Sequence, residues 1–256
     1  MKIYVAAHKK VDWFPSDEIY SPIQVGAALH DRLPYQGDDE GENISDKNPN
    51  FCELTAYYWI WKHSKEDIVG LAHYRRYFTT YGGYLAKLFT GRNVGFLDEK
   101  TIKSDLKEHD VIVSTKAICT NRGKDIYSAY SSSHKEKDMK LFLEILHRLY
   151  PEYDKAAKKV MSETIFYPAN MMICRKELFD DYSNWLFSIF SEMEKTIDIS
   201  DYDAYQSRIY GFLSERVFRI WLVHNNLRLK ERHIINTEDR SIWGMAINYL
   251  KTGRIR

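Results

Sequence analysis

Apolar and polar positions alternate along this chain in two rhythms. Short β-branched and aromatic runs, "KIYVAA" at the start, "DIVGLAHYRRYF" after residue 66 and "DVIVS" over residues 110–114, read as strands. Between and after them the spacing becomes helical. In "CELTAYYWIWKHS", Leu54, Tyr57, Tyr58 and Trp61 recur on one face, with Asn50 placed to cap the helix. "DEKTIKSDLKEH" turns Ile102 and Leu106 inward. "HKEKDMKLFLEILHRLYPEY" lines up Met139, Phe142, Ile145, Leu146 and Leu149. "FYPANMMICRK" is strand-like and leads into the helices "KELFDDYSNWLFSIFSEMEKTI" and "AYQSRIYGFLSERVFRIWLVHN", and a short apolar "RHIIN" follows. Strands alternating with helices predict a mainly parallel sheet with helices on its faces, and a helical C-terminal part over about residues 175–256. Ligands of such sheets sit at the C-terminal strand ends. The polar stretch over residues 8–50, with four prolines and the acidic "GDDEGEN", is too long for an idle connection and is expected to be a folded, functional loop region.

Charge changes this picture only locally. Lys plus Arg is 37 and Asp plus Glu 36, so no field favours nucleic acid or a membrane, and a basic site must be confined to one place. Cys52, Cys119 and Cys174 are scattered and odd in number, which predicts reduced thiols and a cytoplasmic protein. No signal peptide or membrane span is legible. The 37 aromatic residues (19 Tyr, 12 Phe, 6 Trp) either build a core or stack on sugars and bases.

The chain lacks GxGxxG, a P-loop, GxSxG and HExxH. His134 and Asp138, four apart on a helix, are a weak metal pair. The strongest local feature is "HYRRYF" at a strand end. Arg75 and Arg76 offer forked donors suited to phosphate, and His73 adds another. Strict alternation would put His73 and Arg75 on one side, Tyr74 and Arg76 on the other. The alternative is that the arginines pair with structural acids such as Glu53 or Asp110.

The blocks "NISDKNPNFCELTAYYWIWKH", "VGLAHYRRYF", "YPANMMICRKELF" and "YGFLSERVFRIWL", in that order, resemble a bacterial family first catalogued as a domain of unknown function and placed among glycosyltransferases of polysaccharide assembly. The resemblance covers residues 2 to about 229. It implies one GT-A-like domain over residues 1–256, which would transfer galactofuranose or galactose from a UDP-sugar. The acceptor would be a growing capsule, O-antigen or exopolysaccharide chain, and transfer would invert the sugar. In that fold the first strand meets the nucleotide, which places Ala6, His8 and Lys9 at the donor. By the same resemblance Lys47, Asn48, Glu53 and Arg216 join His73, Arg75 and Arg76 there, and Asp38 and Asn43 are candidates to hold uracil or ribose and Asn170 to touch the donor sugar. Ala6, Asp38, Asn43, Glu53 and Asn170 each also have an ordinary packing, solvation or capping explanation.

GT-A enzymes commonly hold a metal with Asp-x-Asp after a central strand. Here Asp38-Asp39 lies in the long loop and Asp201-Tyr202-Asp203 precedes a helix. The expectation is therefore that arginines neutralise the diphosphate, with no cofactor tightly bound and no divalent metal required. An inverting transfer needs one carboxylate as base. Glu215, in the family's Glu-Arg pair, is the first candidate, although the helix reading places it mid-helix. Glu163 is the second. Tyr127, Tyr130 and His134 follow a loop and are assigned to the acceptor. The expected site is the cytoplasm, at the inner membrane face if the basic "KTGRIR" docks there. Two rivals remain. One is a non-catalytic nucleotide- or carbohydrate-binding module of a polysaccharide-assembly complex. The other is a phosphate-directed hydrolase using His73 and Arg75.

Overall fold

The structure is a computed structural model that describes residues 1–11, 14–119 and 124–242. The expected basic tail, and the last part of the expected helical C-terminal region, lie outside the described residues. The strands are β1 (Lys2–Ala7), β2 (Tyr20–Gln24), β3 (Gln36–Gly37), β4 (Ile68–His73), β5 (Arg76–Thr79), β6 (Val111–Ser114), β7 (Ala117–Ile118), β8 (Ile165–Phe166), β9 (Met172–Arg175) and β10 (Leu229–Asn236). Eight of them form one sheet in the order β3-β2-β1-β4-β5-β10-β6-β9, and β9 also pairs with β4. β7 and β8 pair separately.

The sheet is mixed, not mainly parallel. β1 runs parallel to β2 and β4, β2 to β3, and β6 to β10. β5 is antiparallel to β4 and β10, and β9 is antiparallel to β4 and β6. One cause is visible in "GLAHYRRYF". The chain does not run through as one strand. It reverses at Tyr74-Arg75 so that His73 faces Arg76 across a two-residue turn, and such a turn joins only antiparallel strands.

β1 explains why its sequence is apolar without alternation. Ile3, Val5 and Ala7 pack on one face, and Tyr4 and Ala6 pack on the other. Both faces are covered, so both must be apolar. On one side lie the helices Leu54–His63, Glu136–Leu149, Lys176–Glu194 and Ile209–His224. The other side is closed by Ile102 and Leu106 of the helix Glu99–Glu108, with Leu97, Tyr77 and Phe78. Gly70 of β4 has no room for a side chain: a Cβ there would lie 2.6 Å from Ile173 Cγ1, where β9 crosses. Among the described residues no helix is long and apolar enough to cross a membrane, and Cys52, Cys119 and Cys174 are free thiols.

The helix expected from Cys52 starts later. A short helix Asn48–Phe51 ends at Cys52, which adopts φ 54°, and a second helix runs Leu54–His63. Asn50 does not cap it; its side chain donates to Ser207 O at 2.8 Å. The polar stretch before it is folded, as expected, but carries β2 and β3, and Asp38 is its centre. The Asp38 carboxylate is fully buried and accepts from Gly26 N at 2.9 Å, Ala27 N at 3.0 Å and Ser45 Oγ. Its acceptor sites serve the loop, so Asp38 does not face a ligand.

Asp38→Ala would leave two buried N–H groups without their acceptor. We expect a loss on the order of 2–3 kcal/mol, read as a drop in Tm of roughly 4–12 °C by scanning calorimetry. An unchanged Tm would show that the loop does not depend on this carboxylate.

Candidate functional site

The parallel strands β1 and β4 end on the same rim, at Ala7 and His73. A cleft of about 560 Å3 opens there, lined by Ala6, His8, Val25, Asn48, Pro49, Cys52, Glu53, His73, Tyr74, Arg75, Arg76, Ala204, Ser207, Arg208 and Glu215. Eight residues predicted from sequence meet in it: Ala6, His8, Asn48, Glu53, His73, Arg75, Arg76 and Glu215.

The turn at Tyr74-Arg75 replaces the expected alternation and sends all four of His73, Tyr74, Arg75 and Arg76 to one cleft. Arg75 is paired with neither Glu53 nor Asp110. It reaches Glu238 at 3.3 Å and lies over the Tyr74 ring at 5.5 Å, and Asp110 binds Arg228 instead. Arg76 has no ion pair or side-chain hydrogen bond among the described residues and is half-buried. Arg208, which the sequence reading missed, donates Nε–H to Cys52 Sγ at 3.3 Å and leans on Phe212 at 5.3 Å. It stands before the helix Ile209–His224, with no motif around it and far from the other arginines in sequence. Burial pushes the Cys52 thiol up to about 11, so it stays protonated and is no nucleophile.

His8 sits at the mouth, edge-on to Tyr74 at 5.2 Å. Its pKa is held below the usual imidazole value, first by partial burial and then by Lys9, Arg75, His30 and Arg208. Lys9 itself lines a neighbouring hollow with Glu238, at 3.9 Å, and not the cleft.

Cleft side chains reach the turn Pro168–Asn170, whose own residues do not line the cleft. Ala169 has φ 75° and Asn170 φ 47°, both in the left-handed region that costs a residue with a side chain on the order of 1–3 kcal/mol. Five side chains hold it, one of them Ser114, whose Oγ donates to Pro168 O at 3.4 Å. Ala169 N–H donates to Glu215 Oε1 at 2.8 Å, and His73 Nε2 lies 2.8 Å from Ala169 O. Asn170 Nδ2 donates to Glu53 Oε1 at 2.7 Å, and Tyr57 OH donates to Asn170 O at 2.7 Å. A carbonyl can only accept, so His73 carries its proton on Nε2 and spends that donor on the turn, leaving Nδ1 as an acceptor when neutral. Glu215 is one-quarter exposed. Its second oxygen accepts from Arg216 at 2.9 Å, and Arg216 stacks over Phe166 at 4.1 Å. Asn170 therefore supports the cleft without lining it.

Other predicted residues lie elsewhere. Glu163 is ion-paired with Arg219, outside the cleft. Asn43 donates to Asp39 O at 2.8 Å and Gly41 O at 2.7 Å, within its own loop. Lys47 pairs with Glu194 at 2.9 Å. Asn48 lines the cleft, but its amide serves Cys52 O at 2.8 Å. Tyr130 is buried to 1 % exposure, Tyr127 OH donates to Glu136 at 2.8 Å, and His134 stacks on Phe212 at 4.2 Å. None of these three lines the cleft. His134 and Asp138 do not converge on a metal position: Asp138 is buried and bound by Tyr202 OH. Asp39 pairs with Arg32, Asp201 with Lys137, and Asp203 caps Tyr205 N and Gln206 N. Among the described residues no group of three or more His, Cys, Asp or Glu is placed to hold a metal ion.

The arrangement is a local cationic cleft, with two carboxylates, Glu53 and Glu215, at its floor. The chain is similar to the apo structure of the bifunctional glycosyltransferase WbbM, with a TM-score of 0.81 and 32% identity. The match covers 93% of this chain and 45% of that one, so the chain spans under half the length of the WbbM chain. No curated protein matches. The sequence profile described as "Domain of unknown function (DUF4422)" matches residues 2–226, and the chain belongs to that family.

Proposed function

We propose that this protein is a glycosyltransferase of the GT-A type that transfers a hexose, galactofuranose or galactose, from a UDP-sugar to a growing capsule, O-antigen or exopolysaccharide chain. The observation that carries the reading is the convergence of Arg75, Arg76, Arg208 and His8 on one cleft with Glu215, at the strand ends where α/β sheets bind ligands. A diphosphate leaving group develops negative charge as the glycosidic bond breaks, and fixed guanidinium groups stabilise it. In this reading no divalent cation is required. It draws support from Asp38, Asp39, Asp201 and Asp203, each of which has protein partners. The ribose and base lie toward Ala6 and Val25, where small or apolar side chains allow close approach. The sugar lies toward Glu215, which takes the proton of the acceptor hydroxyl as it attacks from the face opposite the diphosphate, inverting the anomeric centre. Ala169 N–H and Arg216 orient the carboxylate, one on each oxygen. The acceptor approaches at the Glu215 end, and the protein works in the cytoplasm at the inner membrane face.

A second reading is a non-catalytic binding module. It is favoured by Glu215 having both oxygens engaged by the protein. Glu215→Gln separates the two. As a catalytic base its loss should reduce transfer by roughly 10²–10⁴-fold while UDP affinity, measured by calorimetry, stays near that of the parent. Near-normal turnover would remove Glu215 from the chemistry and point to Glu53, the other carboxylate in the cleft.

Arg76→Ala and Arg208→Ala should each weaken UDP binding by roughly 1.5–3 kcal/mol, about ten- to hundredfold in Kd. Arg75→Ala should cost less, because that side chain is two-fifths exposed and shared with Glu238. Folded variants that bind UDP as the parent does would make the arginines structural.

His8 supplies a pH test. Its pKa is lowered in the free protein, so it is neutral near pH 7. A diphosphate beside it favours the imidazolium and raises that pKa, so binding takes up a proton as pH falls toward 6. Relative to His8→Gln, the parent should gain UDP affinity between pH 7.5 and about 6. Parallel pH profiles for the two proteins would place His8 away from the phosphates.

A further inference from the structure

The helix Tyr81–Thr90 exposes Tyr81 and Phe89 and buries Gly83 and Lys87. Gly83 lets the helix lie close on the loop that follows it: a Cβ there would come within 2.2 Å of Thr79 Oγ1 and 2.5 Å of Val94 O. Burying Lys87 is costly, because its ammonium gives up water. Lys87 is only 6 % exposed and forms no ion pair among the described residues. Its partners are neutral oxygens: it donates to Asn93 Oδ1 at 2.8 Å and to Thr237 O at 3.1 Å. A hollow of about 360 Å3 opens beside it, lined also by Tyr84, Leu88 and Ile234 and by the carboxylates of Glu238 and Asp239. Neither carboxylate is a hydrogen-bond partner of the ammonium. Glu238 is engaged with Arg75, and Asp239 acts on Lys87 only at longer range.

What Lys87 holds is one peptide segment beside the cleft. Thr237 O accepts from Lys87 and, at 3.3 Å, from Asn93 Nδ2. Thr237 N–H donates to Arg75 O at 2.8 Å. The next residue, Glu238, reaches Arg75 Nη1 at 3.3 Å. Arg75 is thus gripped twice, at its backbone and at its guanidinium, by a segment that Lys87 anchors from outside the cleft. The segment extends the antiparallel pairing of β10 with β5, in which Asn236 faces Arg76. Arginine has many rotamers, and ordering it only when a ligand arrives weakens binding. A support that fixes it beforehand removes that cost. An ammonium suits the task, since a hydrogen bond from a charged donor is stronger than one from a neutral donor.

We propose that Lys87 is a positioning residue for the cleft: through Thr237 and Glu238 it sets Arg75 in place to meet a diphosphate, without touching the ligand itself. The proposal rests on the reading of the cleft as a diphosphate site. The full chain is titrated by calorimetry with UDP and with inorganic pyrophosphate. Lys87→Met keeps most of the side-chain volume and should weaken both by about three- to tenfold. Affinity for uridine, which carries no phosphate, should stay that of the parent. Arg75→Ala removes the guanidinium through which Lys87 acts, so in that background Lys87→Met should cost little more. Lys87→Ala opens onto the hollow a slot the size of the missing arm. Added propylammonium should restore UDP affinity there, and propanol should not; this arm decides the matter even if Lys87→Met melts low. A folded Lys87→Met that binds UDP as the parent does would overturn the proposal and leave the diphosphate reading standing. So would an equal loss with and without Arg75, or rescue by propanol, which would reduce Lys87 to packing. A parent that binds neither UDP nor pyrophosphate would remove the diphosphate reading and this proposal with it.

Discussion

The turn at Pro168–Asn170 is the constraint on which the cleft depends. Two consecutive residues hold positive φ, a conformation that neither alanine nor asparagine adopts without cost. The surrounding side chains offset that cost. His73 comes from the end of β4, Glu215 from the middle of the helix Ile209–His224, and Glu53 and Tyr57 from the helix region on the far wall. One strained turn thereby ties three elements that are remote in sequence. It also fixes the carboxylate proposed as base, because Glu215 is oriented by the Ala169 N–H as well as by Arg216. The charges are poised without being spent: the turn takes one donor from His73 and one oxygen from Glu53, while Arg76 has no partner among the described residues.

This arrangement answers why a chain of net charge +1 concentrates arginine at a strand end. The protein is not basic, but its cleft is. Turning the chain at Tyr74-Arg75 gathers four consecutive side chains that an extended strand would have split between two faces. Arg208 then adds a fork from the opposite wall. The depressed pKa of His8 reports the same clustering, since several of its causes are neighbouring positive groups.

The fold was legible where burial dictates composition. β1, β4 and β6 read as strands because their faces are covered, and the long helices read from their periodic apolar stripes. The rest was hidden for physical reasons. "HYRRYF" has the β-propensity of a strand throughout, so nothing in it announced the reversal. The helix Tyr81–Thr90 went unread because its buried positions are a glycine and a lysine and its apolar residues face out. Asp38 looked like a ligand because a loop carboxylate in an acidic stretch usually faces water, and only the fold reveals the two N–H groups and one hydroxyl it serves. Of the site, the residues beside strand ends were legible, and so were Asn48, Glu53 and Glu215 by resemblance. Arg208 was not, since proximity in space left no trace in spacing. Tyr127, Tyr130 and His134 followed a loop in sequence, yet packing against Phe212 and burial turned His134 and Tyr130 inward.

The central claim is that this cleft catalyses transfer and does not merely bind. Its most direct test is turnover of the purified full chain with UDP-galactofuranose and UDP-galactose, each supplied with a synthetic lipid-linked glycan acceptor. UDP release and acceptor mass are followed together. The account predicts that one donor yields UDP in step with an acceptor heavier by one hexose. A donor that binds while releasing no UDP and leaving the acceptor mass unchanged would contradict it.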